Sequence, residues 1–121
     1  MPYSPSGKDV MLDRLAQLAV FASVHTADPG TAGTGEVTGG TYARKAITWA
    51  AASGGILDSS NTPVFDIPAV TTITHAGFWS AASGGTFYGA DELVADGEPA
   101  PETFTAAGTY TLTDAKLEIV D

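Results

Sequence analysis

A seven-residue block occurs twice in this chain: Trp49-Ala50-Ala51-Ala52-Ser53-Gly54-Gly55 returns thirty residues later as Trp79-Ser80-Ala81-Ala82-Ser83-Gly84-Gly85. Each copy follows a β-leaning run, Ala46-Ile47-Thr48 in one case and Ala76-Gly77-Phe78 in the other. A large aromatic anchors the end of a strand, small residues carry the chain round, and paired glycines supply the positive φ of a turn. The block reads as architecture: two similar strand endings in one β domain. A period this short that occurs only twice does not make a solenoid or a propeller.

With 121 residues the chain makes one domain, large enough for a core and too small for two. Apolar residues supply 44% of it and charged residues only 16%. That is enough apolar surface to offset the entropy of ordering. It also leaves an exterior of Thr, Ser, Gly and Ala, which suits packing against other subunits. Fourteen acids against five bases give a net charge of −9. The bases Lys8, Arg14, Arg44, Lys45 and Lys116 form no cluster, and the overall field repels phosphate, so nucleic acid is not an expected partner. The acids Asp91, Glu92, Asp96, Glu98 and Glu102 read as a solvated loop, with a Ca²⁺ site or a basic partner's footprint as the alternatives. Disulfides and cysteine-based zinc sites are excluded, because the chain has no cysteine. Residues 1–7 lack the pattern of a secretory signal, and no apolar run has the length to cross a bilayer. The expectation is a soluble protein, made in a cytoplasm, without membrane insertion.

The chain opens on an extended arm holding Pro2, Tyr3 and Pro5. From Lys8 the period is helical: Met11, Leu15, Leu18 and Ala22 recur on one face, with Leu12 and Ala19 beside them. The spacing predicts a short amphipathic helix over roughly 8–18, capped by Ser6, with Asp9 in its first turn and Asp13, Arg14 and Gln17 on the opposite face. The period then changes to two. Val20, Ala22 and Val24 fall on one side of a strand, and Phe21, Ser23 and His25 on the other. Further strands are expected at 42–49, 64–67, 71–79, 86–89, 92–95, 102–105 and 109–120, the last with a bulge or turn near Asp114. The fold class is all-β: a β-sandwich or jelly-roll-like domain over 19–121, preceded by the arm and helix of 1–18.

Catalytic chemistry is sparse. His25 and His75 each stand alone in a strand, where a histidine is more often structural than a general base. Neither Ser-Gly-Gly block has the glycine two residues before its serine that a nucleophile elbow needs. Between Gly30 and Gly40 the chain invites a phosphate-loop reading, but Thr38 and Thr41 stand where glycine and lysine are required and no helix follows. That segment is expected to be a surface loop. No metal-ligand spacing is present, and no cofactor is expected. The aromatics, including Tyr42, Trp49, Phe65, Phe78 and Trp79, sit mostly in the strand-like runs, so core packing is their default role.

Several segments together are similar to a known family. They are Ser23-Val24-His25-Thr26-Ala27-Asp28-Pro29-Gly30, Gly35 to Trp49, Phe65-Asp66-Ile67-Pro68-Ala69, Thr74 to Ser80, Gly84 to Gly89, Glu102-Thr103-Phe104-Thr105 and Gly108 to Leu112. In this order and spacing they resemble small proteins of tailed bacteriophages and actinobacterial prophages, labelled tail-fibre or minor virion proteins. The resemblance spans about residues 12–113. It implies a non-enzymatic structural protein on the virion exterior, with other virion proteins as partners and no catalytic residue to carry over.

A compact chain without fibrous repeat or coiled-coil shaft favours a capsid-decoration or minor capsid protein over a tail-fibre component. The alternative is a carbohydrate-binding module for a host-surface glycan, its exposed aromatics stacking on sugar rings. A hydrolase is the weakest reading, because the acid–base inventory is so thin. Assembly contacts are expected in the arm and helix, at Tyr3, Met11, Leu15 and Leu18, and a homo-oligomer around a symmetry axis would bury surface apolar area.

Overall fold

The two-residue period after Ala19 becomes a strand buried on both of its faces. In a computed structural model, which describes residues 3–95, 98–113 and 115–119, this strand is β1 (Phe21–His25). It follows the helix α1 (Pro5–Leu18) and precedes β2 (Lys45–Ala46), β3 (Ile56–Asp58), β4 (Val64–Ile67) and β5 (Thr71–Ile73). Then come β6 (His75–Trp79), β7 (Phe87–Glu92), β8 (Val94–Ala95), β9 (Glu98–Pro99), β10 (Glu102–Phe104), β11 (Gly108–Thr111) and β12 (Lys116–Glu118). The protein is all-β with one short N-terminal helix, as its residue pattern predicts.

The central sheet is four-stranded and antiparallel, in the order β2-β1-β6-β7, and the remaining pairings are the ribbons β4·β11, β5·β10, β3·β12 and β8·β9. Across the β1·β6 pair, Ala22 faces Phe78 and Val24 faces Ala76. These four are fully buried in the apolar core, together with Phe65 and Ile67 of β4, Ile73 of β5 and Leu112. On the other side of the same strands the cross-strand pairs are Phe21 with Trp79, Ser23 with Gly77, and His25 with His75. The predicted strand phase is thus the observed one.

Other expected strands differ for local reasons. Residues 64–67 form β4 as read from the sequence. The run 71–79 divides at Thr74, whose N–H donates to the His25 carbonyl and whose own carbonyl accepts from Leu93, so β5 joins a ribbon while β6 stays in the central sheet. The run 42–49 contracts to β2, with Trp49 held by an isolated bridge to Ser59. The long C-terminal run is two strands, β11 and β12; Asp114, where the turn was expected, and Val120 lie outside the described residues.

Helix α1 begins earlier than its apolar period suggests. Ser4, not Ser6, is the cap: its Oγ accepts the Gly7 N–H at 3.0 Å, and Pro5 takes the first helical position. Proline suits that place, because its fixed φ is helical and its missing N–H would be unpaired there anyway. Leu12 is buried and Leu15 packs on the core, whereas Asp9 and Asp13 do not simply face water. Asp9 accepts the Gly55 N–H and Asp13 the Ala52 N–H, both at 2.8 Å. One helix turn apart, these carboxylates clamp α1 onto the first copy of the repeated block.

The two copies use their glycines in the expected backbone region but close different turns. Gly54 and Gly55 have φ of +62° and +80° and join Ser53 to Ile56, which exchange both backbone hydrogen bonds. That is a two-residue hairpin, whose turn demands positive φ at both central positions. Gly84 and Gly85 have φ of +62° and +76°, yet the second loop closes between Ser80 and Thr86. Both tryptophans turn back on the neighbourhood of β1: Trp49 donates its indole N–H to the Ala19 carbonyl and Trp79 to Ser23 Oγ, each at 2.8 Å.

Candidate functional site

The second face of the central sheet carries polar side chains, and the segment from Asp28 to Glu36 covers it. Gly33 and Val37 of the region expected to be a surface loop are buried, as is Pro29 just before it, while Thr31, Ala32 and Thr34 remain exposed. Gly33 has φ +76°, and a Cβ there would lie 2.5 Å from the Trp79 ring and 2.9 Å from Phe87. The absence of a side chain is what lets this loop close over the indole.

Beneath it runs a directed hydrogen-bond chain. His25 Nδ1 lies 2.8 Å from the Thr34 carbonyl oxygen, which only accepts, so Nδ1 carries the proton. In the neutral ring Nε2 then accepts from Ser23 Oγ at 2.7 Å, and that oxygen accepts the Trp79 indole N–H at 2.8 Å. Ser23 and His25 are both fully buried, and desolvation pushes the His25 pKa below its ordinary value. A serine–histidine pair thus exists, but its imidazole is oriented by a backbone carbonyl instead of a carboxylate, and no surface of either side chain meets solvent. His75 pairs through Nδ1 with Thr74 Oγ1 at 2.8 Å. Among the described residues, the hydrogen bonds of both rings go to hydroxyls and a backbone carbonyl and not to a carboxylate.

Beside this chain Arg44 ties three segments together. Its Nε and Nη2 donate to the two carboxylate oxygens of Glu36, each at 3.0 Å, and its Nη1 donates to the carbonyls of Ala81 and Gly84 at 3.0 and 2.8 Å. The guanidinium carbon lies 3.7 Å from the centroid of the Trp79 ring, whose edge contact with Phe87 is T-shaped. Only 8% of the Arg44 side chain and 21% of that of Glu36 is accessible. Tyr42 completes the group: its hydroxyl donates to Glu36 at 2.9 Å and accepts the Val24 N–H at 3.1 Å. Burial raises the Tyr42 pKa well above the usual phenol value. Sequence reasoning missed this cluster; its one local signal was a carboxylate, Glu36, separated from the Arg44-Lys45 pair by seven uncharged residues. A shallow groove of about 390 Å³ opens against it, walled by Glu36, Thr38, Tyr42, Arg44, Ala82 and Ser83.

The anticipated assembly residues lie elsewhere, Tyr3 just ahead of the helix and Met11, Leu15 and Leu18 on it. Tyr3 is 57% exposed and Met11 37%, and Val10 between them is 70% exposed. Leu15 and Leu18 are half-buried, Leu15 against the protein's own core. The structure therefore does not gather the four into one outward stripe. Tyr3, Val10 and Met11 form its accessible part. Tyr3 is also the one exposed aromatic among the described residues; the ring of Trp79 is covered by Arg44 and Phe87. No group of three metal-ligating side chains occurs among the described residues, and Asp96 of the acidic stretch lies outside them.

A family model described as "Podophage GP4 fiber I protein gp80" matches residues 15–116, most of the chain. No curated protein matches it.

Proposed function

Since the chain belongs to the family of the podophage GP4 fiber I protein gp80, a structural component of the phage virion exterior, we propose that it is a non-enzymatic fibre module carried on the particle through its helix-bearing end. The match over residues 15–116 carries this reading, and a family named for a fibre protein weighs towards a fibre rather than the capsid-decoration role expected from the compact sequence. The sealed Ser23–His25 pair supports a building role: the groups most able to do chemistry are used to hold β1, β6 and the covering loop together.

Attachment falls to α1. Its inner side is committed through Leu12, Asp9 and Asp13, which leaves Tyr3, Val10 and Met11 projecting. A partner virion protein gains most by covering such side chains, since each fully buried one of this size contributes about 1.5–3 kcal/mol. The half-buried Leu15 and Leu18 would support that contact from behind. The glycan-binding alternative is less favoured, because an aromatic stacking platform is offered only by Tyr3 among the described residues.

Virion incorporation tests the attachment. Val10→Glu and Met11→Glu lie at exposed helix positions and should leave the thermal midpoint within a degree or two. Particles assembled with the double variant are expected to lose most of this protein, as read by quantitative mass spectrometry of purified virions. Wild-type incorporation of a folded double variant rules the helix out as the anchor.

A further inference from the structure

The polar face of the central sheet is closed by a segment that is only lightly held. Residues 29–34 carry no charge, and the carbonyl of Pro29 accepts the N–H groups of Gly33 and Thr34 at 3.0 and 3.2 Å, so the segment is bonded mainly to itself. Among the described residues, one hydrogen bond ties it to the sheet, from His25 Nδ1 to the Thr34 carbonyl. The rest of its hold is the contact of Gly33 with Trp79 and Phe87. The other walls around the imidazole are firmer. β1 and β6 pair over five residues each, and Arg44 makes four hydrogen bonds.

A second proton on His25 upsets the buried chain at Ser23. Nε2 becomes a donor, and the serine oxygen it must use already accepts the Trp79 indole N–H. The serine hydroxyl hydrogen loses its present acceptor, and the imidazolium has one carbonyl in place of its hydration. The charged and titratable groups that face the ring do not make up the deficit. Glu36 favours the cation, but both of its oxygens are engaged by Arg44. Arg44 itself and His75, the cross-strand neighbour on β6, oppose it. β7 presents the uncharged ring of Phe87, its centroid 6.4 Å from that of His25.

We propose that residues 29–34 are a proton-released cover: when His25 becomes an imidazolium this segment lifts, water reaches the ring, and Trp79 and Phe87 are uncovered as a new aromatic surface. The cover is the part that yields, because lifting it costs one hydrogen bond and a few contacts, whereas moving β6 or Arg44 breaks several bonds at once. The direction with pH follows from proton affinity. The closed state holds the His25 pKa below its ordinary value, chiefly by desolvation, and the lifted state returns it towards about 6.5. Falling pH therefore favours the lifted state, by up to about tenfold per pH unit between the two values. The device is independent of how the protein is attached to the particle.

The indole N–H of Trp79, which donates beneath the cover, reports lifting in the intact protein. Its exchange with water is measured by nuclear magnetic resonance at several pH values and at low urea concentrations, as protection relative to free indole under the same conditions. The slowest-exchanging backbone amides report global unfolding. Trp79 is expected to be at least tenfold less protected than those amides, and nearly insensitive to urea, because a lifted segment of this size exposes little surface. Its protection should fall by up to about tenfold per pH unit below about pH 6.5. His25→Gln should remove that pH dependence and His75→Gln should keep it. Trp79 protection that matches the slowest amides and shares their urea slope overturns the proposal, as does protection that does not change with pH. So does a pH dependence that persists in folded His25→Gln or is lost in His75→Gln. The wild-type comparison decides alone if His25→Gln does not fold.

Discussion

Arg44 lays its guanidinium 3.7 Å from the centroid of Trp79 while both of its faces of hydrogen bonding are occupied, one by Glu36 and one by the carbonyls of Ala81 and Gly84. A planar cation with forked donors fits this position; a point charge does not. The second copy of the repeated block is thus held at its aromatic by stacking and at its small residues by hydrogen bonds. One side chain fixes the loop that follows β6.

Arg44→Lys should therefore destabilise the protein by about 2 kcal/mol despite conserving charge, and Arg44→Met by about 3 kcal/mol or more, because it strands a largely buried carboxylate. Urea denaturation measures both. In the double variant Glu36→Gln/Arg44→Met part of the loss should return, as the stranded charge is gone. Strict additivity of the two single changes would show that the pair does not act as a unit.

The glycine opposite Ser23 sets a second constraint. A Cβ at Gly77 would lie 2.6 Å from His25 Nε2 and 2.7 Å from Ser23 Oγ. Gly77→Ala must displace the buried hydrogen-bond chain, and a loss of about 3 kcal/mol or more is expected, in the range of severe overpacking. Gly30→Ala is the control: it has a positive φ of +62° but nothing within 4 Å. Only backbone strain is at stake there, about 1 kcal/mol. Equal urea midpoints for the two variants would contradict the packing argument.

What the residues disclosed in advance follows from how local each signal is. The alternation Val20, Ala22, Val24 against Phe21, Ser23, His25 is a property of consecutive residues, so the strand and its phase were legible. The positive φ of Gly54, Gly55, Gly84 and Gly85 was legible for the same reason. That both faces of β1 are buried was not, because the cover comes from a Gly/Thr segment with no period of its own. Its one informative residue, Gly33, looks like any loop glycine until Trp79 is placed beneath it. The Glu36–Arg44–Tyr42 cluster escaped notice because its anchor points at Ala81 and Gly84 are backbone carbonyls some forty residues away, which no side-chain pattern encodes. The helix start was misplaced because apolar periodicity marks the packed turns of a helix, whereas Ser4 and Pro5 start it before any apolar contact exists.

Tyr42→Phe removes one oxygen and breaks two bonds at once. Glu36 loses a donor, and the N–H of the fully buried Val24 loses its acceptor. Leaving a buried backbone donor unpaired costs about 1–3 kcal/mol. The loss should appear in the urea midpoint, and amide exchange at Val24 should accelerate more than at Ala22, which is equally buried. Unchanged protection at Val24 would mean that another acceptor takes over.

The buried imidazole gives the stability a pH dependence of known sign. His25 is neutral in the fold and its pKa is depressed, first by desolvation and further by the positive charge of Arg44 and by His75, against the opposing pull of the Thr34 carbonyl and of Glu36. In the unfolded chain it titrates near the ordinary value of about 6.5. The unfolded state therefore binds more protons at mildly acidic pH. Its contribution to stability is complete above about pH 6.5 and is lost as pH falls from there through the depressed folded-state pKa. Protonation would also place a hydrogen on Nε2, where Ser23 now donates, so the chain from Trp79 to Thr34 would have to reverse at the serine. The urea midpoint should drop between about pH 7 and pH 5.5, before most carboxylates titrate, and the drop should shrink in a folded His25→Gln variant. In the native protein the imidazole carbon resonance of His25 should titrate at a lower pH than that of free histidine. A native His25 signal titrating at or above the free-histidine value would show that the ring is neither sealed nor held neutral by its neighbours.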